Sequence, residues 1–339
     1  MIGAALLPSD YQGAFSMTLK VILVCVGCCL GLIATAAQAQ SYPSKPIKVI
    51  VPVAPGGATD MTARLVGQKM AERFGQAVVI ENRPGANETI GVDAVAKSAP
   101  DGYTVLVTAP AAVVIVPQLQ KLPYNVDKDL APVSLAAVTP LILVVHPSLP
   151  VQTVKELIVV AKARPGQLSY ASTGNGGVQH LAGELLKISA KIDIVHIPYK
   201  GAGPVMQDLI GGQVPVFFSG MPPAMPHVRS GKLRALAVTT THRSATAPDV
   251  PTMQEAGVPG FDISNWFAYF VPAGTPTDVI AKLSAEINRS LKLQDVSEKL
   301  ATLGAEPVGT SPEELARFLR VESAKFANLI KVSGAKGTD

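Results

Sequence analysis

The sequence predicts an α/β protein built on a parallel sheet with helices on both faces. Apolar runs of strand length alternate with amphipathic runs of helix length, which is the pattern of that class. Several of the strands end in short loops of Gly, Ala, Ser and Thr with few charges nearby. Apolar residues make up 48% of the chain and charged residues 16%, so it can bury a large core.

Residues 1–39 have the anatomy of a secretory signal peptide rather than of a folded segment. Lys20 is followed by an apolar run at 21–33, and Ala37-Gln-Ala39 closes the segment as an A-x-A cleavage site. We expect cleavage near Ala39-Gln40 and export of the mature chain.

Three alternatives to this interpretation of the leader stay open. Translation can begin at Met17, just ahead of the basic residue. The apolar run can remain as an uncleaved anchor, although it is short for a membrane span. Cys28 can carry a lipid anchor, but Cys25 stands three places before it, where a large aliphatic residue is usual.

The mature chain of about 300 residues is long enough for two domains. All three cysteines lie in the leader, so the mature chain has no disulfides and no thiolate metal ligands. The net charge of +4 is spread without basic blocks, so we expect no nucleic-acid partner. The expected division is 42–141 plus 263–339 for the first domain and 142–262 for the second.

The loop at 52–60, after an apolar strand at 47–51, is the first candidate binding element. Gly56 and Gly57 allow a sharp turn and close approach to a ligand. Thr59 or Asp60 can cap the next helix, whose N-terminus suits an anion. The alternative is a capped strand–helix turn that binds nothing.

The same reasoning assigns the other elements. Helices are expected at 61–74 with Gly75 as the C-cap, at 91–97, at 154–163 capped by Thr153, after the loop 172–180, and at 204–210, 276–291 and 312–330. Strands are expected at 77–80, 103–108, 168–171, 192–197, 214–218 and 233–239. Proline-interrupted apolar stretches at 130–146 and 262–272 are expected to cross between the domains.

One more loop is expected beside the first one, and another is expected to face it across a cleft. The strand 103–108 ends in a small-residue loop at 108–112, and the strand 168–171 ends in the glycine-rich loop 172–180. Ligands of parallel α/β sheets bind at the carboxyl ends of the strands. Small residues there supply N–H and O–H donors but no matched acid and base, which favours reversible binding of a small anion over catalysis.

Catalytic and metal sites receive weaker support. A secreted hydrolase using Ser172 and His180 is the main alternative function. His180 and Glu184 are four apart on a helix, but two ligands do not make a metal site, and we expect no metal or cofactor. Trp266 is expected in the core or at a cleft, and Arg83 in a structural ion pair.

The chain resembles the periplasmic solute-binding proteins of tripartite tricarboxylate transporters, the TctC or Bug (Bordetella uptake gene) family. The matching segments span the mature chain: YPSKPI (42–47), PGGATD (55–60), VIENRPGA (79–86), APDGYT (99–104), HLAGE (180–184), PYKG (198–201), GKLRALAVT (231–239) and PAGTP (272–276).

The resemblance implies a type II periplasmic-binding-protein fold, a Venus flytrap with two α/β domains and a central cleft. It implies a monomeric receptor for a small carboxylate, with the transporter's membrane subunits as partners. The implied ligand-binding residues are Pro55, Gly56, Gly57, Ala58, Thr59, Asp60, Thr108 and Ala109 on the first domain, and Ser172, Thr173, Gly174, Gln179, His180, Tyr199, Gly201 and Ser219 on the second.

Three departures from the family's usual pattern bear on the ligand. Ala58 replaces a third glycine, and Asn87-Glu-Thr-Ile-Gly91 stands where the family usually has Gly-Gly-Asn-Ile-Gly. Ser219 stands near the place of an Asp that can meet a ligand amine, which favours a simple carboxylate over an amino acid. The effector domain of a regulator shares the fold type, but the leader and the lack of a helix-turn-helix argue against it.

Overall fold

The computed structural model describes residues 42–199 and 201–334. The predicted signal peptide lies outside the described residues. Among the described residues, no helix has both the length and the apolar character that a membrane span requires.

In the described part of the chain, ten strands form one mixed sheet. They are β1 (Ile47–Val51), β2 (Val78–Asn82), β3 (Thr104–Thr108), β4 (Leu130–Val145), β5 (Ser169–Ser172), β6 (Val195–Pro198), β7 (Val216–Gly220), β8 (Arg234–Val238), β9 (Ser264–Pro272) and β10 (Glu306–Pro307). The order is β2-β1-β3-β9-β4-β7-β5-β6, with β8 and β10 also paired to β4.

Helices connect these strands. They are α1 (Ala58–Phe74), α2 (Thr89–Ala96), α3 (Val116–Leu119), α4 (Val126–Asp129), α5 (Val154–Ala163), α6 (Val178–Ala190), α7 (Ala202–Ile210), α8 (Met221–Arg229), α9 (Thr277–Leu291), α10 (Gln294–Thr302) and α11 (Pro312–Ser333). A π-helical turn at Ala111–Ile115 precedes α3.

The α/β class is confirmed, but the predicted parallel sheet is mixed, with antiparallel strands at its centre. β1 runs parallel to β2 and β3, and β5 runs parallel to β6 and β7, as the strand–helix alternation indicates. β9 is antiparallel to both β3 and β4, and β4 is antiparallel to β7. These antiparallel strands are the two stretches that the sequence assigned to crossovers, so their pairing had no local signal.

The long strand β4 changes neighbours between Pro140 and Leu141. Pro140 is paired with Ser264 of β9, whereas Leu141 is paired with Gly220 of β7. Pro132 does not interrupt the strand because a register shift follows it, and prolines are tolerated at such irregularities. The domain boundaries given above stay a prediction, and one hydrophobic core cluster contains residues from both groups of strands, including Leu106 and Tyr170.

Several helix ends confirm the sequence reasoning. The Thr153 side chain accepts the backbone N–H of Glu156, and Gly75 closes α1 with a left-handed φ of 64°. The α10 helix was not predicted. The expected side-chain cap of α1 is wrong, because Gly57 is its N-cap and makes no side-chain cap bond.

Candidate functional site

A cavity of about 420 Å³ lies where three strands end, and its volume is within the range of small-molecule sites. Its lining combines the segments after β1, before α2, after β3 and between β5 and α6. The lining residues are Pro52, Val53, Ala54, Gly85, Asn87, Glu88, Ala109, Ala111, Val116, Thr173, Gly174, Asn175, Gly176, Gly177, Val178, Gln179 and Asn265.

The loop after β1 is held in place by the buried carboxylate of Asp60. Asp60 Oδ2 accepts the backbone N–H of Gly56 at 2.9 Å and the Nε–H of Arg64 at 2.9 Å. The amide of Asn82 donates to Asp60 Oδ1 at 2.9 Å and to the Val53 carbonyl at 3.0 Å. These bonds fix the position of the loop after β1.

The charge of Asp60 is stabilised by these same bonds. Burial acts to raise the pKa of Asp60, but the hydrogen bonds from Arg64, Gly56 and Asn82 outweigh it and hold that pKa below its usual range. Since only 1% of Asp60 is exposed, the ionised carboxylate is a fixed structural charge.

At the end of β3, the predicted anion-binding residues already hold a carboxylate from the protein itself. Thr108 Oγ1 donates to Glu88 Oε2 at 2.7 Å, and the backbone N–H of Ala109 donates to the same oxygen at 3.3 Å. Burial raises the pKa of Glu88, and these two hydrogen bonds oppose that effect.

Glu88 follows an unusual stretch of backbone. Ala86, Asn87 and Glu88 have φ values of 46°, 52° and 74°, a left-handed conformation that side chains other than glycine seldom adopt. The Thr89 hydroxyl donates to the Ala86 carbonyl at 2.8 Å and holds the turn closed. This turn directs the Glu88 carboxylate toward β3.

The second wall of the cavity is the loop between β5 and α6. Ser172 Oγ accepts the Gly174 N–H at 3.1 Å and lies 2.9 Å from the Gly174 carbonyl. The Thr173 hydroxyl donates to Gln179 Oε1 at 3.1 Å. The helix starts at Val178 without a side-chain cap, and its first residues, Val178 and Gln179, belong to the cavity lining.

Beneath this wall is a buried polar cluster. The His180 and His196 rings stack with centroids 3.9 Å apart, and Ser172 Oγ lies 2.6 Å from His196 Nε2. The Tyr170 hydroxyl donates to Glu184 Oε1 at 2.7 Å. Burial, with the neighbouring charges of His180 and Lys187, lowers the pKa of His196 to about 4.

These contacts do not assemble the Ser172–His180 pair that a hydrolase would use. His180 Nδ1 accepts the backbone N–H of Gly176 at 3.1 Å, while Ser172 contacts His196 and its own loop. Glu184 is bonded to Tyr170 and forms an ion pair with Lys187, so it too is engaged in structural contacts.

Four of the predicted ligand-binding residues line the cavity, namely Ala109, Thr173, Gly174 and Gln179. The others are not among the lining residues, and these are Pro55, Gly56, Gly57, Ala58, Thr59, Asp60, Thr108, Ser172, His180, Tyr199, Gly201 and Ser219. Tyr199 donates its hydroxyl to Asp208 at 2.8 Å, and Ser219 is fully buried and bonded to the Gly220 carbonyl. Whether these residues bind a ligand stays a prediction.

Sequence reasoning missed Glu88, Asn175 and Asn265 as lining residues. Glu88 had one signal, the departure at 87–91. Asn265 adjoins Trp266, for which a cleft position was considered. Trp266 itself is buried and donates its indole N–H to Glu322 at 3.0 Å.

The fold and the cavity between strand ends define the class of periplasmic solute-binding proteins, as the comparisons confirm. The structure of R. palustris Rpa4515 with adipate superposes with a TM-score of 0.79 at 36% identity, covering 87% of this chain and 99% of that one. MatC from Rhodopseudomonas palustris with bound malate gives a TM-score of 0.74 at 35% identity, covering 85% and 100%.

Sequence comparison then gives the family. Residues 62–335 match the tripartite tricarboxylate transporter family receptor model. Protein BugT of Bordetella pertussis is 42% identical over 306 residues, covering 90% of this chain and 94% of that protein. The chain belongs to this TctC/Bug family of solute-binding proteins, which confirms the resemblance.

Proposed function

We propose that this protein is a periplasmic receptor that captures a small carboxylate in the cavity and delivers it to the membrane subunits of a tripartite tricarboxylate-type transporter. The observation that carries the proposal is the cavity of about 420 Å³ between the loop after β1 and the loop at 173–179. The structures of relatives with adipate and with bound malate support the ligand class.

The donors expected to hold the ligand are backbone N–H groups of the glycine-rich wall. The segment 173–179 combines three glycines with the start of α6, where N–H groups and the helix dipole favour an anion. The receptor acts as a monomer, without a metal or cofactor, after removal of residues 1–39.

Calorimetric titration of the mature chain, from residue 40 onward, with a set of mono- and dicarboxylates tests this proposal. We expect one-to-one binding without turnover. At 100 times the dissociation constant the ligand should stabilise the fold by about 2.7 kcal/mol. Chemical conversion of the ligand, abolished by Ser172→Ala, would instead support the hydrolase.

A pair of matched variants tests whether the ligand binds at the 173–179 wall. Thr173→Val keeps the side-chain shape but removes the hydroxyl that donates to Gln179 Oε1, so the Gln179 side chain in the second wall is no longer held in place and binding should weaken by about tenfold. Val321→Thr changes an exposed position of α11, 67% accessible, and should bind as the unmodified chain does. Delivery is tested by ligand uptake in cells with and without the receptor, using the membrane subunits of its own source.

A further inference from the structure

Glu88 is the one formally charged side chain among the described residues that line the cavity. The other lining side chains are apolar, hydroxyl or amide groups. A site expected to take an anion therefore has a wall that carries a carboxylate. Like charges brought together in a confined, poorly hydrated space repel each other strongly.

The Glu88 carboxylate also occupies the donors that would offset such repulsion. Thr108 Oγ1–H and Ala109 N–H both point to Glu88 Oε2. A ligand carboxylate reaching this end of the cavity would find these two donors taken and a carboxylate in front of them. Only a group that donates a hydrogen bond, or that carries positive charge, is complementary to that surface.

We propose that Glu88 determines ligand specificity, so that the cavity takes a monocarboxylate whose far end bears a hydroxyl or ammonium donor and selects against linear dicarboxylates. This inference rests on the proposed function. The ligand's single carboxylate lies at the 173–179 wall, and its donor end faces Glu88.

The protonation of Glu88 couples to this selection. Burial raises the pKa of Glu88, while the donors from Thr108 and Ala109 favour the ionised form. A donor-bearing ligand adds a third group that favours the ionised carboxylate. A dicarboxylate requires the protonated carboxyl, so it binds with uptake of a proton.

Two substitutions separate charge from shape. Glu88→Gln keeps an oxygen that can accept from Thr108 and Ala109 but removes the charge. Glu88→Gly frees both donors, and glycine adopts the φ of 74° found there without a steric penalty, so this variant is expected to fold. Glu313→Gln on the exposed start of α11 is the matched control.

The experiment is calorimetry on the full mature chain with two matched ligand series. The six-carbon series is adipate, 6-hydroxyhexanoate, 6-aminohexanoate and hexanoate, and the four-carbon series is succinate, 4-hydroxybutanoate, 4-aminobutanoate and butanoate. The unmodified chain and Glu313→Gln should bind a donor-bearing monocarboxylate at least about tenfold more tightly than the dicarboxylate of equal length. In Glu88→Gln the preference for the donor-bearing monocarboxylate should largely disappear. Glu88→Gly should bind the dicarboxylate more tightly than the donor-bearing monocarboxylate.

The outcomes distinguish the two proposals. Equal or tighter binding of the dicarboxylate by the unmodified chain, with no change in Glu88→Gly, overturns the specificity role and leaves the receptor function standing. Absence of binding to any member of either series by all four chains overturns the proposed function and this inference together.

Discussion

The indole N–H of Trp266 donates to the buried carboxylate of Glu322 across 3.0 Å and joins β9 to the helix α11. The indole also packs edge-on against Phe318 of the same helix, with centroids 5.5 Å apart. Lys325 forms an ion pair with Glu322 from the next turn. A strand at the centre of the sheet is thereby fixed to the last helix.

Trp266→Phe should destabilise the fold by about 2–4 kcal/mol, because it leaves a buried carboxylate oxygen without its donor and shrinks a core side chain. The change is measured by urea unfolding monitored by circular dichroism. Tryptophan fluorescence cannot be used, because the substitution removes the chain's single tryptophan. Val321→Ala, at an exposed position of α11, should change the free energy of unfolding by less than about 0.5 kcal/mol. Equal stability of both variants would contradict the role given to the Trp266–Glu322 bond.

Asp60→Asn should cost about 1–3 kcal/mol of stability near neutral pH, because Arg64 and the Gly56 N–H lose a charged acceptor. The pKa of Asp60 is lowered in the folded state from an ordinary value of 3.8. The stabilisation is therefore complete above that ordinary value and is lost as the pH falls through the lower folded pKa. Denaturant unfolding at a series of pH values should show a constant gap between the two chains near neutrality and a shrinking gap in acid. A gap that widens in acid would refute the assignment.

His196 contributes to acid sensitivity through the same linkage and with the same sign. Its folded pKa of about 4 lies below the ordinary value of 6.5, so the unfolded chain binds more protons between these two values. Stability should fall as the pH falls through this window, by at most about 1.4 kcal/mol per pH unit from this residue. His196→Gln should flatten that slope, whereas His242→Gln, at an exposed side chain, should leave it. An unchanged slope in His196→Gln would assign the acid sensitivity elsewhere.

Glu88 should make dicarboxylate affinity pH-dependent. Because its pKa is raised in the folded protein, a falling pH protonates the carboxyl and removes the repulsion that excludes adipate. The ratio of adipate affinities, unmodified chain to Glu88→Gln, should rise as the pH falls from about 8 to about 5. Taking the ratio cancels the titration of adipate itself.

Asp93 and Tyr124 are the titratable groups nearest to this interaction. Asp93 lies on α2, the helix that follows Glu88, and burial together with the charges of Glu88 and Asp93 raises the pKa of Tyr124. A ratio that stays constant with pH would show that Glu88 does not face the ligand.

Two glycines on helices test the packing directly. A Cβ at Gly183 would lie 2.0 Å from the ring of the buried Tyr170, so Gly183→Ala should destabilise by more than about 3 kcal/mol or prevent folding. A Cβ at the exposed Gly203 would meet nothing within 4 Å apart from its chain neighbours, but Pro204 disfavours a side chain on the preceding helical residue, so Gly203→Ala should change the free energy of unfolding by less than about 1 kcal/mol. Thermal unfolding of the two variants side by side measures both. Similar melting temperatures would contradict the packing of α6 on β5.

Local chemistry explains which parts of the fold the sequence could predict. Gly75 and Thr153 are helix-terminal residues whose role depends only on neighbours in the chain, and both predictions are confirmed. The pairing of β4 with β9 joins segments more than 100 residues apart. Nothing local distinguishes such strands from crossovers, and Pro132 and Pro140 gave a misleading signal of interruption.

The same distinction applies to the cavity. The small-residue loops were found because glycine and threonine clusters after apolar runs have a local signature, and they supply Thr173 and Gly174. The sequence placed Asp60 in such a loop, but its hydrogen-bond partners Arg64 and Asn82 lie on a helix and on a second strand. Its structural role therefore could not be predicted from the loop sequence. Glu88 contacts Thr108, which is 20 residues away in sequence, and no pattern in either segment announces that contact.

The change of neighbours along β4 has a mechanical consequence. On one side of the Pro140–Leu141 peptide the strand is hydrogen-bonded to β9 and β10, and on the other side to β7 and β8. Any rotation of one group of strands against the other would therefore twist β4 at this peptide, and would also move the connection from β8 to β9, where the chain passes between the groups a second time. Pro140 has no N–H to contribute to the hydrogen-bond ladder. We therefore expect β4 to twist most easily at the peptide where its neighbouring strands change.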